Sequence, residues 1–468
     1  MGAAEHDFPA MSRIPIHGPS AGTIRRIAEI VASEGGQAYL VGGWVRDMII
    51  DPEQAPKDAD IEVFGIAPEK LRELLTNNFK CNLYGKSFQV IGLSEHNIDV
   101  AIPRRELKTG SGHTDFDVQG DPDMSLAEAA ARRDFTINSI YARISDGLIE
   151  DPFDGMVDLK SKTLRHTTNR FTEDPLRVLR AMQFSARLGF RVHEDTVALS
   201  RTLTQENLSR ERLFDEWKKL ILKGNDFQLG LGFLKDCDWL RFYPELQALD
   251  NCEQDPEWHP EGNVWTHTLH CLNAFAKIRT GDEWEDLVTG FAVLCHDMGK
   301  PRTTIVENDR IRSPGHARQG VEIARGFLHS LTNHKHLIAE VLPLVKDHMA
   351  PFEFHQNKAG DSAIRRLAGR VKRIDRLVKV ATADKGGRPP LPWKFPLPEG
   401  EWLLARAEEL AVKDSVPKAI LQGKHLLKIG LQPGPQLGEI LKAAYEAQLD
   451  GEFKNVEGGL EWIRDRDS

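Results

Sequence analysis

Cysteine is scarce in this chain, and the sequence also lacks long apolar stretches and any excess of basic residues. The five cysteines among 468 residues are scattered and form no CxxC pair, which argues against a disulfide framework or a zinc knuckle. No window of the sequence approaches the ~20 apolar residues of a membrane span. The net charge of −9 argues against a broadly positive, nucleic-acid-coating surface, so any RNA contact must be a local basic patch.

The length and the composition of the chain are typical of a multidomain protein. At 468 residues, 40% hydrophobic and 28% charged, the chain is long enough for two to four domains with sizeable cores. The N-terminus has no basic segment followed by an apolar run, as a secretory signal would have. We therefore predict a cytoplasmic protein without a membrane partner, while the sequence leaves its oligomeric state open.

The apolar pattern changes from mixed to helical along the chain. Short strand-like runs and amphipathic helical segments alternate up to about residue 146, and helical spacing dominates after about residue 172. The Gly- and Asp-rich segment 104–124 is predicted to be a mobile loop, and 151–160 a turn. The five prolines of 386–400 indicate a boundary or a surface excursion. The predicted fold class is α+β, with a small mixed-sheet head followed by a largely α-helical body.

A glycine pair ends the first predicted strand. Gly42 and Gly43 allow a backbone to approach a phosphate group closely, and Arg46 and Asp47 follow one helical turn later. A glycine pair alone is equally typical of a plain tight turn.

Three aspartates follow the glycine pair at positions that suit a metal site. Asp58 and Asp60 are spaced i, i+2 where the chain becomes extended, so both side chains project to one face. Asp99 alternates with apolar residues and can add a third carboxylate from a neighbouring strand. Close carboxylates repel unless a cation lies between them, and their hard oxygens suit Mg²⁺. The pattern predicts a phosphoryl-transfer site, with a solvated loop pair as the alternative for Asp58 and Asp60.

Five segments in order resemble the motifs of a known family. LVGGWVRD, KDADIEVFG, IDVAIPRRE, RRDFTINSI and EDPLRVLRAMQFSARLGF are similar to the successive motifs of the class II nucleotidyltransferases. These form the bacterial tRNA nucleotidyltransferase and poly(A) polymerase branch of the polymerase β superfamily. The resemblance implies that Asp58 and Asp60 hold the metals and that Asp99 assists catalysis. It also implies a nucleotide-binding set of Gly42, Gly43, Arg46, Arg132, Arg133, Asp134, Asn138, Asp174, Arg177 and Arg180, in which Arg132, Arg133, Asp134 and Asn138 bind triphosphate and ribose.

Asp174 and Arg177, with Glu173, match the family's base-reading motif. Cytosine and adenine both present an amino donor beside a ring-nitrogen acceptor, which suit a carboxylate that accepts and a guanidinium that donates. Uracil and guanine present the opposite pattern and would leave polar groups unpaired. Protein side chains could therefore replace a nucleic-acid template, although an ordinary helix ion pair between Asp174 and Arg177 is the alternative.

A second constellation of histidines and aspartates follows residue 260. Imidazole and carboxylate groups together suit a divalent metal, and VLCHDMGK resembles the HD phosphohydrolase superfamily. That resemblance maps the metal ligands onto His267, His296, Asp297 and Asp384, with Asp347 as a weaker rival to Asp384. His316 and His348 are extra ligands for a second metal or contacts to a phosphate. Mn²⁺, Ni²⁺ and Fe²⁺ are the candidate ions for this centre.

The two resemblances imply a division of the chain and a function. We expect a nucleotidyltransferase head at 24–150, a helical nucleotide-recognition neck and body at 151–250, an HD phosphohydrolase domain at 260–390 and a tRNA-facing segment at 400–468. The implied activity is addition of C and A, from CTP and ATP, to the 3′ end of tRNA. Three alternatives stay open, namely an enzyme that adds only CC or only A, a poly(A) polymerase, and an HD phosphohydrolase whose N-terminal half senses nucleotide.

Overall fold

A computed structural model of the chain describes residues 12–84, 90–108, 116–206, 208–391 and 395–466. The chain forms two compact units, Met1–Ser209 with Phe233–Trp239, and Arg210–Gly232 with Leu240–Ser468. Within the described ranges, no helix combines the length and the hydropathy needed to span a bilayer.

The first unit contains a seven-stranded mixed sheet in the order β3-β4-β5-β2-β1-β8-β9. The pair β2–β5 is parallel, and the other neighbours in this sheet are antiparallel. The strands of the unit are β1 (Gln37–Val41), β2 (Ala59–Phe64), β3 (Cys81–Tyr84), β4 (Val90–Leu93), β5 (Ile98–Ala101), β6 (Arg104–Lys108), β7 (Phe116–Gly120), β8 (Tyr141–Arg143), β9 (Ile149–Glu150), β10 (Thr163–Leu164) and β11 (Arg191–Val192).

Helices pack on this sheet through apolar faces. In β2, Ala59, Ile61 and Val63 are buried while Asp60 is exposed, so the strand alternation turns the acidic side chain away from the core. The helices of the unit are α1 (Ala21–Ser33), α2 (Gly43–Ile50), α3 (Pro68–Asn78), α4 (Leu126–Ala130), α5 (Gly155–Lys160), α6 (Leu176–Leu188) and α7 (Glu194–Arg201). The predicted combination of a mixed sheet with helices is confirmed.

Two local predictions for the first unit are wrong. The segment 104–124, predicted to be a mobile loop, contains the antiparallel strands β6 and β7, although 109–115 lie outside the described residues. Backbone pairing forms this ladder despite the charged residues that obscure the apolar alternation. The segment 151–160, predicted to be a turn, ends in helix α5. The carboxylate of Asp151 caps this helix by accepting from the amides of Gly155 and Met156 at 2.8 Å each.

Among its described residues, the second unit is helical apart from one short hairpin, β12 (Ile305–Glu307) with β13 (Arg310–Arg312). This hairpin, like β11, is an exception to the expected end of strands after residue 172. The remaining helices of the chain are α8 (Arg210–Lys223), α9 (Phe227–Asp236), α10 (Pro244–Asp250), α11 (Val264–Ala276), α12 (Glu283–Cys295), α13 (Lys300–Thr303), α14 (His316–Leu331), α15 (Lys335–Asp347), α16 (Ala350–Gln356), α17 (Asp361–Val371), α18 (Ile374–Gly386), α19 (Pro398–Glu409), α20 (Gly423–Lys428), α21 (Pro435–Asp450) and α22 (Val456–Arg466).

Helix ends position the histidine cluster of the second unit. Asn263 caps α11 by accepting from the amide of Thr266 at 3.0 Å, which fixes the helix that carries His267. The buried helix α12 ends immediately before His296. Close packing of α11 and α18 then brings the middle of one helix against the C-terminal end of the other.

Candidate active sites

The three predicted metal-binding aspartates line one cleft of the first unit. Asp60 on β2 is the register partner of Asp99 on the parallel strand β5. Asp58 lies two residues before Asp60, directly ahead of β2. All three residues line a cleft of about 320 Å³. The structure thus brings together the carboxylates that the i, i+2 spacing and the strand alternation predict to be neighbours.

The electrostatics of this cleft suit divalent cations. Desolvation raises the pKa of Asp60, the guanidinium of Arg133 lowers it, and the carboxylates of Asp99 and Asp58 raise it, with a net upward shift. Closely spaced carboxylates are destabilised as anions unless a cation lies between them. Oxygen donors of this kind are the ligands that Mg²⁺ prefers, so the donor set fits the expected magnesium ions.

Gly42 lies beside both Asp60 and Arg133. Its φ is 66°, and a Cβ at this position would lie 3.3 Å from Nη1 of Arg133 and 3.7 Å from Oδ2 of Asp60. A side chain here would therefore fill the space between the carboxylate and the guanidinium. Open backbone at the start of α2, next to a fixed cation, is an arrangement that accepts a phosphate group.

Arg133 is held in place by Glu62 and Tyr141. Its Nη2 donates to Oε2 of Glu62 at 3.3 Å, and its guanidinium carbon lies 5.4 Å from the centroid of the Tyr141 ring. The Tyr141 hydroxyl donates to the same Glu62 oxygen at 2.8 Å. These contacts orient the guanidinium before a ligand arrives. Glu62 was not among the predicted site residues, although its i+2 spacing from Asp60 on β2 places it on the same face.

A buried network joins Arg46 to Arg180. Arg46, only 2% exposed, donates to Oδ1 of Asn138 at 2.7 Å, and Nδ2 of Asn138 donates to Asp134 at 3.0 Å. Arg180 donates to the other oxygen of Asp134 at 2.7 Å. Burial would raise the pKa of Asp134, but Arg180 and Asn138 lower it below its ordinary value. Arg46 and Arg180 also lie 5.0 and 5.4 Å from the ring centroid of Phe184 on α6. Asp134 and Asn138 thus have internal partners that fix both arginines.

The predicted base-reading residues lie where α6 begins. Asp174 accepts from the amide of Leu176 at 3.1 Å and so caps the start of the helix. Arg177 donates from Nη1 to the carbonyl of Arg170 and from Nη2 to the carbonyl of Arg132, both at 2.7 Å. These bonds tie the start of α6 to the segment that carries Arg132 and Arg133.

Four histidines of the second unit converge with their Nε2 atoms. In each ring Nδ1 faces a fixed acceptor, which is Glu261 for His267 at 2.7 Å, Val293 O for His296 at 2.7 Å, Ser313 O for His316 at 2.9 Å and Val345 O for His348 at 2.8 Å. Since carbonyl and carboxylate oxygens only accept, Nδ1 must donate, and in the neutral ring Nε2 then carries the lone pair. Burial, together with the neighbouring His296, lowers the pKa of His348 to about 3, so this imidazole is neutral.

Asp297 and Asp384 complete the histidine cluster. Asp297 lies 3.3 Å from Nε2 of both His296 and His316, and Asp384 lies 3.1 Å from Nε2 of His267. The Nε2 atoms of His316 and His348 are 3.2 Å apart. Converging lone pairs and carboxylates repel unless cations lie among them. Nε2 of His296 is buried without a hydrogen-bond partner, which fits the divalent metal that the HD motif implies.

The predicted rival to Asp384 lies elsewhere. Both oxygens of Asp347 accept from Arg370, with the shortest contact at 2.9 Å. Asp347 therefore has a structural partner, and the cluster contains Asp384.

Sequence reasoning missed five residues around this centre. Lys300 Nζ is 2.7 Å from Asp297, and Arg388 donates to Asp384 at 3.0 Å. The other three are Glu261, His259 and Cys271, which contact His267 or its partner. The centre opens to a cavity of about 240 Å³ that Lys300, Arg388 and Trp258 also line. The i, i+3 spacing of Lys300 from Asp297 and the i, i+4 spacings of Cys271 and Arg388 from ligand residues were sequence signals that could have found these three.

Comparison with known protein families assigns two domains. Residues 38–165 match the family described as the poly A polymerase head domain, and residues 264–379 match the HD domain. The chain therefore carries both domains. The first match contains the three aspartates of the head cleft, and the second contains every histidine of the cluster but ends five residues before Asp384.

Solved structures with the same fold extend over nearly the whole chain. The Bacillus stearothermophilus CCA-adding enzyme in complex with CTP is 21% identical with a TM-score of 0.66, over 96% of this chain and 99% of that chain. The Thermotoga maritima CCA-adding enzyme complexed with tRNA is 21% identical with a TM-score of 0.58, over 97% of each chain. A CCA-adding enzyme with ATP is 20% identical with a TM-score of 0.59, over 96% of this chain and 94% of that chain.

Proposed function

We propose that this chain is a template-independent tRNA nucleotidyltransferase that adds C and A, from CTP and ATP, to the 3′ end of tRNA and releases pyrophosphate. The observation that carries the proposal is the pairing of Asp60 with Asp99 in one cleft with Asp58, beside Gly42 and Arg133. The poly A polymerase head domain and the shared fold of CCA-adding enzymes support it. Those enzymes are described with tRNA, CTP and ATP, which are the partners that we propose here.

The residues of the head cleft have distinct roles in the proposed reaction. The tRNA 3′ hydroxyl attacks the α-phosphorus of the nucleotide in line, and Asp99 is placed to accept the hydroxyl proton. Magnesium ions held by Asp58 and Asp60 would neutralise developing charge and favour the alkoxide form of the hydroxyl. Arg132 and Arg133 bind the triphosphate, and the open backbone of Gly42 and Gly43 lets a phosphate approach.

The remaining predicted nucleotide-binding residues either hold arginines in position or read the base. Asp134 and Asn138 hold Arg46 and Arg180 through buried hydrogen bonds, so these side chains are already fixed when the triphosphate and ribose bind. Asp174 and Arg177 read the base edge by accepting from the amino group and donating to the ring nitrogen. The two hydrogen bonds of Arg177 to backbone carbonyls use two of its five N–H groups, so the guanidinium keeps donors for a base edge.

The domain assignment follows from these roles. We propose the head at 24–150, the nucleotide-recognition neck and body at 151–250, the HD domain at 260–390 and a tRNA-facing segment at 400–468. Helices α20 and α21 of the last segment form a helix-turn-helix at 423–450, which is one support for an RNA contact there. Since tRNA is the proposed substrate and the five cysteines are free thiols, we place the protein in the cytoplasm.

Extension of defined tRNA ends tests this function. Transcripts that end at the discriminator base, at C and at CC are incubated with labelled CTP or ATP and Mg²⁺. We expect full CCA from all three. Extension limited to CC or to the last A would assign a split activity. Long A tracts on unrelated RNA would assign a poly(A) polymerase, and no extension of any RNA would contradict the proposal.

We also propose that the HD domain is a metal-dependent phosphohydrolase for phosphoester ends. The specific support is the convergence of four Nε2 lone pairs and two carboxylates next to Lys300 and Arg388, which can bind a phosphate. Mn²⁺, Ni²⁺ and Fe²⁺ are the proposed ions. Asp297→Ala should lose hydrolysis of phosphomono- and phosphodiesters and keep tRNA extension. Asp60→Ala should lose tRNA extension and keep this hydrolysis. Loss of hydrolysis in Asp60→Ala would instead favour a nucleotide-sensing head.

A further inference from the structure

We propose that Cys271 is a ligand of the HD metal ion, so that this centre takes a transition metal through nitrogen, oxygen and sulfur donors. The inference rests on the metal-dependent HD function proposed above and adds a ligand and a metal class to it. Neither the HD motif nor the spacing of its histidines and aspartates assigns a role to this cysteine.

The helical register places the thiol on the metal-binding face of α11. Cys271 follows His267 by four residues, so the two side chains lie on the same face of the helix. Sγ is 3.3 Å from Nε2 of His267, the ring nitrogen whose lone pair is free because Nδ1 faces Glu261. Donor atoms of His267, Cys271, His296 and Asp384 all lie within 4.8 Å of one another.

The distance between Sγ of Cys271 and Nε2 of His267 matches two donors that share one ion. Bonds from zinc-like ions to nitrogen and sulfur are about 2.0 and 2.3 Å long, so two such donors on one ion are at most about 4.3 Å apart. The separation between Sγ and Nε2 falls within this limit. All four side chains are buried, which removes water as a competing ligand from this side of the centre.

The end of α18 fixes the position of the thiol. A Cβ at Gly387 would lie 2.4 Å from Sγ of Cys271, so the absence of a side chain there lets the backbone pack directly against the sulfur. Sγ also lies 3.6 Å from the carbonyl oxygen of Asp384, three residues earlier in the chain. The sulfur therefore has no room to turn away from the cluster toward Gly387.

An independent observation shows that the cluster needs an ion. Nε2 of His296 is buried and forms no hydrogen bond, while Oδ2 of Asp297 faces Nζ of Lys300 at 2.7 Å. The side chains of His296 and Asp297 are 1% and 2% exposed. An unpaired polar atom such as this nitrogen is costly to bury unless an ion or a water satisfies it. The thiol lies among donors that already require a cation.

A sulfur donor changes which ion is preferred. Thiolate ligands favour Zn²⁺, Fe²⁺, Co²⁺ or Ni²⁺, whereas carboxylates and waters suit Mg²⁺ and Mn²⁺. The head cleft, which has only oxygen donors among its three aspartates, therefore takes magnesium, and the HD centre takes a transition metal.

Cobalt spectroscopy of the full-length protein tests this proposal. The chelator-stripped chain is titrated with Co²⁺, and the near-ultraviolet sulfur-to-cobalt charge-transfer band is recorded. We expect the band in the wild type, its loss in Cys271→Ser and its retention in Cys295→Ser, in which another buried thiol next to His296 is removed. Cys271→Ser should also bind Co²⁺ about tenfold more weakly or worse, since even outer partners of a ligand contribute this much.

The outcomes separate this proposal from the proposed functions. Ligation by Cys271 is overturned if the wild type shows no charge-transfer band and Cys271→Ser binds Co²⁺ with unchanged stoichiometry and affinity. That result leaves the HD metal centre intact. If the wild type binds no Co²⁺, or if His296→Ala leaves Co²⁺ binding unchanged, both the ligation by Cys271 and the HD metal centre are overturned. An unfolding temperature of Cys271→Ser in EDTA that equals that of the wild type shows that the second unit is folded, since tRNA extension reports on the first unit.

Discussion

Asp60 and Asp99 are register partners on β2 and β5, the parallel pair of the seven-stranded sheet. Partners in register on parallel neighbours project to the same face of the sheet, and the parallel direction brings both carboxylates to the same edge. Antiparallel β4 then pairs with the other side of β5 and completes the wall of the cleft. One parallel pair in a mostly antiparallel sheet therefore creates the acidic cleft.

Asp60→Asn should abolish nucleotide addition but stabilise the metal-free protein. Because the folded pKa of Asp60 is raised, its proton stabilises the fold at low pH, and this contribution is lost as pH rises through the folded pKa. At neutral pH the ionised side chain therefore opposes folding. We expect a higher unfolding temperature for the variant in EDTA, and a smaller stabilisation by Mg²⁺ than in the wild type. The surface variant Glu73→Gln is the control, and a less stable Asp60→Asn would contradict the raised pKa, which burial and then the neighbouring carboxylates cause.

Asp134→Asn should lower the stability of the first unit in a pH-dependent way. The folded pKa of Asp134 is depressed, so its stabilising effect is present above the ordinary value of 3.8 and disappears as pH falls through the folded pKa. The charge-assisted bond to Arg180 contributes about 2 kcal/mol at neutral pH. Denaturant unfolding of both proteins from pH 7 to pH 3 measures the difference. A difference that stays constant across this range would show that the charge of Asp134 is not involved.

Arg177→Ala should relax the choice of nucleotide. The loss of one donor–acceptor pair to the base edge is worth about 1–3 kcal/mol, which corresponds to roughly a 5- to 150-fold loss of discrimination against UTP and GTP. Incorporation of each of the four nucleotides onto tRNA ending in CC is the measurement. Arg170→Ala, which removes a more exposed arginine from the adjoining turn, should keep the wild-type selectivity. Equal slowing of all four nucleotides in Arg177→Ala would assign Arg177 a purely structural role.

Glu261→Ala should weaken metal binding at the HD centre. Its carboxylate accepts from Nδ1 of both His259 and His267, and these hydrogen bonds hold its pKa at about 2 despite partial burial. Without Glu261 the His267 ring loses its orientation and its fixed tautomer. Affinity should fall about 10- to 100-fold, as measured by competition with a fluorescent chelator. Glu257→Ala, which removes an exposed carboxylate of the same loop, should bind metal normally.

Asp384→Ala and Asp347→Ala should differ sharply in metal content and in phosphoester hydrolysis. Asp384 lies 3.1 Å from Nε2 of His267, so its removal should eliminate hydrolysis and reduce metal content. Asp347 pairs with Arg370, which is 42% exposed, so its removal should cost only about 0–1 kcal/mol of stability and leave hydrolysis intact. Metal analysis and phosphoester hydrolysis of the two variants decide between them, and a hydrolytically active Asp384→Ala would exclude Asp384 from the centre.

The strongest sequence patterns predicted the fold well. Apolar alternation located β2 and β5, because buried and exposed residues alternate there without interruption. The hairpin β6–β7 was missed, since Arg, Glu, Lys and Asp interrupt the alternation while backbone hydrogen bonds still form the ladder. Helix α5 was missed because a side-chain cap from Asp151, rather than an apolar stripe, defines its start.

The candidate sites were predictable where ligands belong to short motifs. His296 and Asp297 are adjacent, and Asp58 and Asp60 are two residues apart, so local spacing was sufficient. Glu261 lies in an irregular segment six residues before His267 and has no periodicity that would reveal its role. Glu62 was missed because its function depends on Arg133, which folding brings from 71 residues away.

The Nδ1 hydrogen bonds of the histidine cluster order the metal site during folding, before a metal ion binds. Each ring is anchored to an acceptor of its own helix or loop, so helix packing alone aims the free nitrogens at a common point. Conformational entropy is therefore lost while the chain folds and not when the ion arrives. In contrast to small zinc domains that remain unstructured without their ion, this centre is a preassembled receptor that ions can enter and leave while the surrounding helices keep their positions.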